Sequence, residues 1–335
     1  MDKNIGILGT GALAQKRYNS LLEINKNFNI FIGSSSNKRA IEFSKGKKIY
    51  SNGSYDEIIS NKKISKIIIC NETYKHYDLI KKCLNNNKHV LCEKPLTMKK
   101  EETKKIKNIA YKKKLVLTCG LNHRFYPAIK DIKQLLKNKN FGKLLHINSK
   151  YCYSGREKKV YRKEWRSNKK KTPGGIIIEH GIHILDLIFH LFGKPKNVNY
   201  MLTNNFYKLK NLEETFAIGV ILKNNNSIAN VFSSCTNWKN IFELNITFEN
   251  GYLDIINPNP SYGKSILKIG YRNHYKPFEF LIREYSNKDT SFQNEIKQFL
   301  WLIKQKKYKK TNIDDVIKLQ NICEEIYKSN KKLHL

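Results

Sequence analysis

The short apolar run Asn4 to Leu8 feeds directly into Gly9-Thr10-Gly11-Ala12-Leu13-Ala14 and then into a helical pattern. A G-x-G-x-x-A turn between a strand and a helix leaves a chain few folds to choose from. The two glycines allow a tight turn and let the backbone come close to a pyrophosphate, while a small residue at Ala14 lets the helix pack close to the sheet. Phosphate oxygens then meet the free N–H groups and the positive end of that helix. Residues Gly9 to Ala14 are therefore candidate dinucleotide-binding residues.

The next hundred residues keep the rhythm that this turn requires. Apolar runs at Asn29 to Ile32, Lys66 to Cys70, His89 to Cys92 and Leu115 to Cys119 alternate with helical patterns such as Tyr74 to Asn85 and Lys99 to Tyr111. Alternation of this kind predicts a doubly wound parallel sheet of the Rossmann type. After residue 120 the rhythm changes. A helix follows Pro127 and a long helix runs from Ile176 to Phe192. Strand-like stretches then follow at Asn197 to Leu202, Thr215 to Leu222, Ser227 to Ser234, Ile241 to Phe248 and Tyr252 to Ile256, and helices over 291–306 and 313–329 close the chain. The expected fold class is α/β: a Rossmann domain over residues 1–120, and an α+β domain on an open, mostly antiparallel sheet over 121–335.

Cofactor choice is read where the second strand ends, since an acidic residue there holds the ribose 2′-OH of NAD. This chain has Gly33-Ser34-Ser35-Ser36-Asn37-Lys38-Arg39. With no carboxylate in that stretch, Ser34, Ser35, Lys38 and Arg39 suit a 2′-phosphate, so NADP is expected over NAD. Cys92-Glu93-Lys94-Pro95 follows a strand at the carboxyl edge of the same sheet, where open α/β sheets bind ligands. A lysine there can stabilise the charge that develops on a substrate oxygen as its proton leaves.

The helix Ile176 to Phe192 is apolar nearly all round except for Glu179, His183, Asp186 and His190. Their spacing of four, three and four places them on one face of an α-helix, which predicts a stripe lining a cleft. Glu179-His180-Gly181-Ile182-His183 superficially resembles a zinc-protease helix, but that motif needs histidines at i and i+4 and these stand at i and i+3. No metal site is expected, and His180 and His190 read as packing or surface residues.

The formal charge of +35 comes mostly from lysine spread along the whole sequence. Runs such as Lys169 to Lys171 read as solvated faces, so neither specific nucleic-acid binding nor a membrane partner is expected. No apolar stretch is long enough to span a bilayer. The seven cysteines are odd in number and contain no C-x-x-C pair, which suits reduced thiols in a cytoplasm.

Taken together, Gly9 to Ala14, Lys88 to Pro95, Asn122-His123-Arg124-Phe125-Tyr126-Pro127, Trp165-Arg166 and Gly174-Gly175 leading to Gly181-Ile182-His183 and Asp186 resemble the Gfo/Idh/MocA oxidoreductases over nearly the whole length. The resemblance implies that Lys94 and His183 flank a nicotinamide, that the Lys94-Pro95 peptide is cis, and that Trp165 and Arg166 help close the site. It also implies cofactor contacts at Asn71, His76, Glu93 and Asn122, and an open sheet used to form a homo-oligomer, a dimer or tetramer. Two departures stand out. Glu179 replaces the usual Asp, and Asn71-Glu72 replaces a common Thr-Pro. The expected activity is NAD(P)-dependent interconversion of a secondary alcohol and a ketone on a sugar, sugar nucleotide or cyclitol, with Lys94, His183 and Glu179 as catalytic residues. The alternative is a catalytically silent dinucleotide-binding regulator of the same fold.

Overall fold

Why the first third forms a parallel sheet is visible in its burial. Strands β1 (Asn4–Leu8), β2 (Asn29–Ser34), β4 (Lys66–Ile69) and β5 (His89–Glu93) are buried along almost their whole length. Continuous burial is the signature of strands covered by helices on both faces. The computed structural model describes residues 3–137, 139–155, 157–224, 226–273 and 279–329. Met1, Asp2 and residues 330–335, the outer ends of the two expected domains, lie outside the described residues.

The chain divides into two units. In the first, β3 (Ser51–Ser54) and β6 (Leu117–Gly120) complete a six-stranded sheet of order β3-β2-β1-β4-β5-β6. Every pair in it is parallel. The helices are α1 (Ala12–Ile24), α2 (Asn37–Ser44), α3 (Tyr55–Ser60), α4 (His76–Asn85) and α5 (Lys100–Lys112). A reciprocal capping box between Ser54 and Glu57 starts α3 directly from β3.

The second unit holds α6 (Pro127–Leu135), β7 (Leu144–Cys152), α7 (Lys158–Tyr161), α8 (Ile182–Phe192), β8 (Pro195–Thr203), β9 (Thr215–Leu222), β10 (Ile228–Ser234), β11 (Ile241–Phe248), β12 (Gly251–Ile256), β13 (Ser265–Tyr271) and β14 (Phe280–Tyr285). Its eight-stranded sheet has the order β14-β13-β12-β11-β7-β10-β9-β8. Pairing is antiparallel except between β7 and β10. Strands β9, β10, β11 and β12 alternate between buried and more exposed residues, so one face is covered and the other open.

One expectation needs correction. The second domain does not run from 121 to the end, because residues 292–321 return to the first unit. The cause is packing. From α9 (Ser291–Lys304), Ile296, Phe299, Leu300 and Leu302 join the core beside β1 and β2. From α10 (Ile313–Ser329), Ile313 and Val316 join the core on the other face. Among the described residues no helix is long and apolar enough to cross a membrane.

Candidate active site

In the first unit the Gly9 turn is shaped by close backbone approach. Gly9 has φ +129°, and a Cβ there would stand 2.8 Å from the Cys70 carbonyl oxygen, so only glycine fits. Gly11 is the N-cap of α1 and faces open space, with nothing within 4 Å of where its Cβ would lie. No side chain caps α1 and its first turn carries no acidic residue. The helix-start N–H groups are thus left for an anion that can approach over Gly11. Beside this turn, both polar atoms of the Asn71 side chain are buried with no hydrogen-bond partner among the described residues. An amide of this kind waits for a ligand or water, since buried polar groups are otherwise satisfied. Gly9 to Ala14 and Asn71 therefore fit a dinucleotide.

At the end of β2, Ser34 is buried while Ser35, Lys38 and Arg39 are exposed, the last two in the first turn of α2. A carboxylate does reach this corner, from another strand. Glu72, after β4, is pushed up by partial burial, but its backbone hydrogen bond, Lys75 and Arg39 together hold it below the ordinary glutamate range. Its ion pair with Lys75 measures 3.0 Å.

Lys94 follows β5, and the Lys94-Pro95 peptide is cis. The neighbouring Glu93 is buried and its carboxylate is committed elsewhere. It accepts from Arg17 Nε at 2.8 Å and pairs with Arg17 Nη2 at 2.7 Å. The same guanidinium meets Glu295 of α9 at 2.6 Å and stacks over Phe292 at 4.7 Å. Gly120 leaves room for this pair, since a Cβ there would stand 3.1 Å from both Arg17 and Glu93. The buried His76 ring spans from the Pro95 carbonyl at 2.9 Å to the Asn71 carbonyl at 3.0 Å. Burial pulls this imidazole below its ordinary value against the opposing pull of those carbonyls and Glu93. Glu93 and His76 thus hold the ends of β4 and β5 in place.

In the second unit the long helix begins with an unusual turn. Residues Ile177–Gly181 form a π-helical segment that passes into α8. Gly181 lets the Phe216 ring lie against the backbone, where a Cβ would come within 2.7 Å of it. At the start, Glu213 accepts N–H groups from Ile177 at 2.9 Å and Gly175 at 3.3 Å, and the Tyr327 hydroxyl at 2.8 Å. A Cβ at Gly174 would overlap the Tyr327 hydroxyl and one at Gly175 the Glu213 carbonyl, at 2.0 and 2.1 Å. Both glycines are therefore required by this clamp. Burial raises the Glu213 carboxyl above its ordinary value against these hydrogen bonds.

The expected stripe begins in the π segment and continues along α8. Glu179 lies in the π-helical segment and His183, Asp186 and His190 in α8, and the four residues take different partners. His183 is buried and stacks on His123 with ring centroids 3.8 Å apart, and His123 in turn packs against Tyr126, Tyr151 and Phe242. Asp186 receives a two-point bond from Arg124, at 2.7 Å from Nε and 2.5 Å from Nη2. Glu179 lies 3.3 Å from Arg166 Nε, and the Arg166 guanidinium covers the Trp165 ring at 4.5 Å. His190 meets Lys133 at 2.8 Å, and His180 stacks on Tyr151 at 4.3 Å. Asn122, expected at the cofactor, donates to Ser291 Oγ at 2.9 Å.

His123, Arg124, Glu213, Arg17 and Glu295 escaped the sequence reading as site-shaping residues. His123 and Arg124 lie inside the Asn122 to Pro127 motif, whereas no local pattern marks the other three. All seven cysteines are buried and free, and burial pushes Cys323, for example, up to about 12. Among the described residues no group of three or more His, Cys, Asp or Glu could hold a metal ion.

A parallel sheet with an open glycine turn, and a second unit whose helix carries a buried histidine, define a two-unit dinucleotide-binding protein of the Rossmann type. A family model described as an oxidoreductase family with an NAD-binding Rossmann fold matches residues 3–121, and one described as the GFO/IDH/MocA C-terminal domain matches 129–254. The chain belongs to the GFO/IDH/MocA family. Among relatives, glucose-6-phosphate 3-dehydrogenase of Bacillus subtilis (strain 168) is 30% identical over 196 residues, covering 57% of this chain and 54% of that protein. The scyllo-inositol 2-dehydrogenase (NADP(+)) of the same organism is 29% identical, covering 58% and 53%. The chain thus spans about half the length of the curated relatives it matches. The solved levoglucosan dehydrogenase in complex with NADH superposes with a TM-score of 0.87 at 16% identity, covering 98% of this chain and 96% of that one. UDP-N-acetylglucosamine 3-dehydrogenase from Acidithiobacillus ferrooxidans gives 0.79 at 19% identity, covering 97% of each. At these identities the structural likeness concerns the fold.

Proposed function

We propose that the protein is an NAD(P)-dependent oxidoreductase interconverting a secondary alcohol and a ketone on a sugar, sugar nucleotide or cyclitol. The observation that carries this reading is the open, uncapped Gly11 turn beside the unpartnered Asn71 amide. Relatives named for glucose 6-phosphate and scyllo-inositol support the substrate class. The backbone of Gly9 to Ala14 holds the pyrophosphate and Asn71 a further polar group of the cofactor. Ser34, Ser35, Lys38 and Arg39 take a 2′-phosphate, so NADP is preferred; Arg39 also offsets Glu72, which would otherwise repel that phosphate. Bound nicotinamide supplies the hydride acceptor in one direction and donor in the other.

The chain's own residues supply the proton chemistry. His183 takes the hydroxyl proton as general base, and Lys94 stabilises the oxygen as charge develops on it. Glu179, tethered to Arg166, orients substrate or tunes His183. The protein works in a reducing cytoplasm as a homo-oligomer, a dimer or tetramer, through the open face of the eight-stranded sheet, where Met201, Ile228 and Phe232 are exposed.

Fluorescence titration with NADPH and NADH, followed by turnover on a panel of sugars, sugar phosphates, sugar nucleotides and cyclitols, tests the reading. NADPH should bind more tightly than NADH. Lys94→Ala should lower turnover far more than it lowers cofactor affinity, and unchanged turnover would remove Lys94 from the mechanism. If neither dinucleotide binds, the oxidoreductase reading fails. Binding without turnover on any substrate would favour a regulatory protein.

A further inference from the structure

The second unit contains a cavity of about 530 Å³ that the proposed chemistry does not use. One side is formed by Arg162 to Trp165 and Ser167 to Lys171, and the other by Lys210 and Asn211. Six of its lining residues are cationic: Arg162, Lys163, Lys169, Lys170, Lys171 and Lys210. A single carboxylate, Glu164, joins them, and it already stands 3.6 Å from Arg166. Among the described residues, no ion pair is formed by Lys163, Lys170 or Lys210. Converging like charges repel each other unless an anion sits among them.

The walls are built rather than loose. Arg162 donates twice to the Tyr207 carbonyl, at 3.0 and 3.3 Å. The Tyr207 N–H is in turn held by Glu214 at 2.6 Å, together with the N–H groups of Asn205 and Phe206. On the other side, Asn168 Oδ1 accepts the Lys170 N–H at 2.9 Å, and the Lys169 ammonium is fixed on the Pro173 carbonyl at 2.7 Å. A concavity of this volume suits a small ligand rather than a nucleic-acid strand. Its position gives the ligand a purpose, since the turn that lines it through Trp165 also reaches Glu179 through Arg166.

We propose that this cavity binds a phosphate ester carried by the substrate. The proposal rests on the reading of the second unit as the substrate-binding part of an oxidoreductase and narrows its substrate to a phosphorylated sugar. The phosphate belongs to a sugar monophosphate or to the diphosphate of a nucleotide sugar, and the two share the recognition chemistry of lysine and arginine for phosphate oxygens.

Calorimetric titration of the full chain with inorganic pyrophosphate, at fixed ionic strength and with NADPH already saturating the Gly9 turn, tests it. Fixed ionic strength matters because exposed charges are screened by salt. One equivalent should bind, and Lys163→Gln/Lys170→Gln/Lys210→Gln should weaken it by roughly tenfold or more while leaving NADPH binding as in the parent. Displacement of pyrophosphate by glucose 6-phosphate more readily than by uridine diphosphate assigns the monophosphate, and the reverse order assigns the nucleotide. Equal binding by the parent and triple variant, or none at millimolar pyrophosphate, overturns the proposal. So does a single-stranded oligonucleotide that competes with a steep salt dependence. Failure of NADPH to bind would sink the oxidoreductase reading alone, because the comparison of parent and triple variant is then repeated with pyrophosphate in the absence of NADPH and still reports on this cavity.

Discussion

Replacing Arg17 by methionine is the sharpest test of how the first unit holds its chemistry together. The guanidinium is completely buried and lies between two buried carboxylates, Glu93 at 2.7 Å and Glu295 at 2.6 Å. Arg17→Met keeps most of the side-chain volume and strands both charges. Removing one partner of a buried pair costs about 3–5 kcal/mol; with two carboxylates left unpaired, the upper end, about 5 kcal/mol, is expected. Urea is the denaturant of choice because it leaves ion pairs unscreened. Unfolding can be followed by the fluorescence of Trp301 on α9, in a Trp165→Phe/Trp238→Phe background, so that the signal comes from the first unit. The triple variant Arg17→Met/Glu93→Gln/Glu295→Gln should recover most of the loss, since a neutral buried set is often as stable as an ionic one. A loss below about 1 kcal/mol in Arg17→Met would refute the reasoning. A triple variant as unstable as the single one would assign the cost to lost packing instead of unpaired charge.

Other consequences concern pH and the glycine turn. Burial and the nearby Lys66 push His89 down to about 4, and its Nδ1 accepts the Val116 N–H at 2.9 Å, which needs an unprotonated nitrogen. Its folded value lies below the unfolded value of about 6.5, so its contribution is present above pH 6.5 and is lost as pH falls toward 4. That amounts to roughly 3 kcal/mol at most. Thermal melts of His89→Asn should show a correspondingly smaller acid loss than the parent, and parallel curves would disprove the assignment. Glu213 behaves with the opposite sign. Its value is raised by burial, so the stability it contributes is fullest below the ordinary carboxylate range and declines as pH rises through the raised value. The parent should therefore lose ground to Glu213→Gln on going from pH 4 to 7, and a gap independent of pH would contradict this. Gly9→Ala should abolish detectable NADPH binding in the fluorescence titration, because a Cβ at φ +129° meets the Cys70 carbonyl at 2.8 Å; near-parental affinity would count against the turn.

What the sequence made legible follows the physics of each element. Buried parallel strands advertise themselves as apolar runs, so β1, β2, β4, β5 and β6 were readable within a few residues. Strand β3, Ser-Asn-Gly-Ser, contains no apolar side chain and pairs with β2 at the sheet edge, so no hydrophobic pattern announces it. The central strand β7 was also missed. Its alternation is broken by exposed Leu145 and by consecutive buried Tyr151 and Cys152, and its place between β11 and β10 is decided by distant partners. The return of α9 and the first half of α10 to the first unit depends likewise on which core receives their apolar faces.

The helix after Gly174 shows what a spacing leaves open. Four ionisable residues at four, three and four predict one stripe, but the spacing does not say which partner each of them takes. Gly181, accepting the Phe216 ring, and Glu213, clamping the first N–H groups, accompany the π turn that carries Glu179. Glu179 then meets Arg166, while Asp186, one α-turn beyond His183, is taken by Arg124. A carboxylate already neutralised by a two-point arginine contact is a poor proton acceptor. This favours His183, which stacks on His123, for the general-base role proposed above. By the same logic the usual Asp at position 179 would fall one methylene short of Arg166, so the longer side chain suits the turn that presents it.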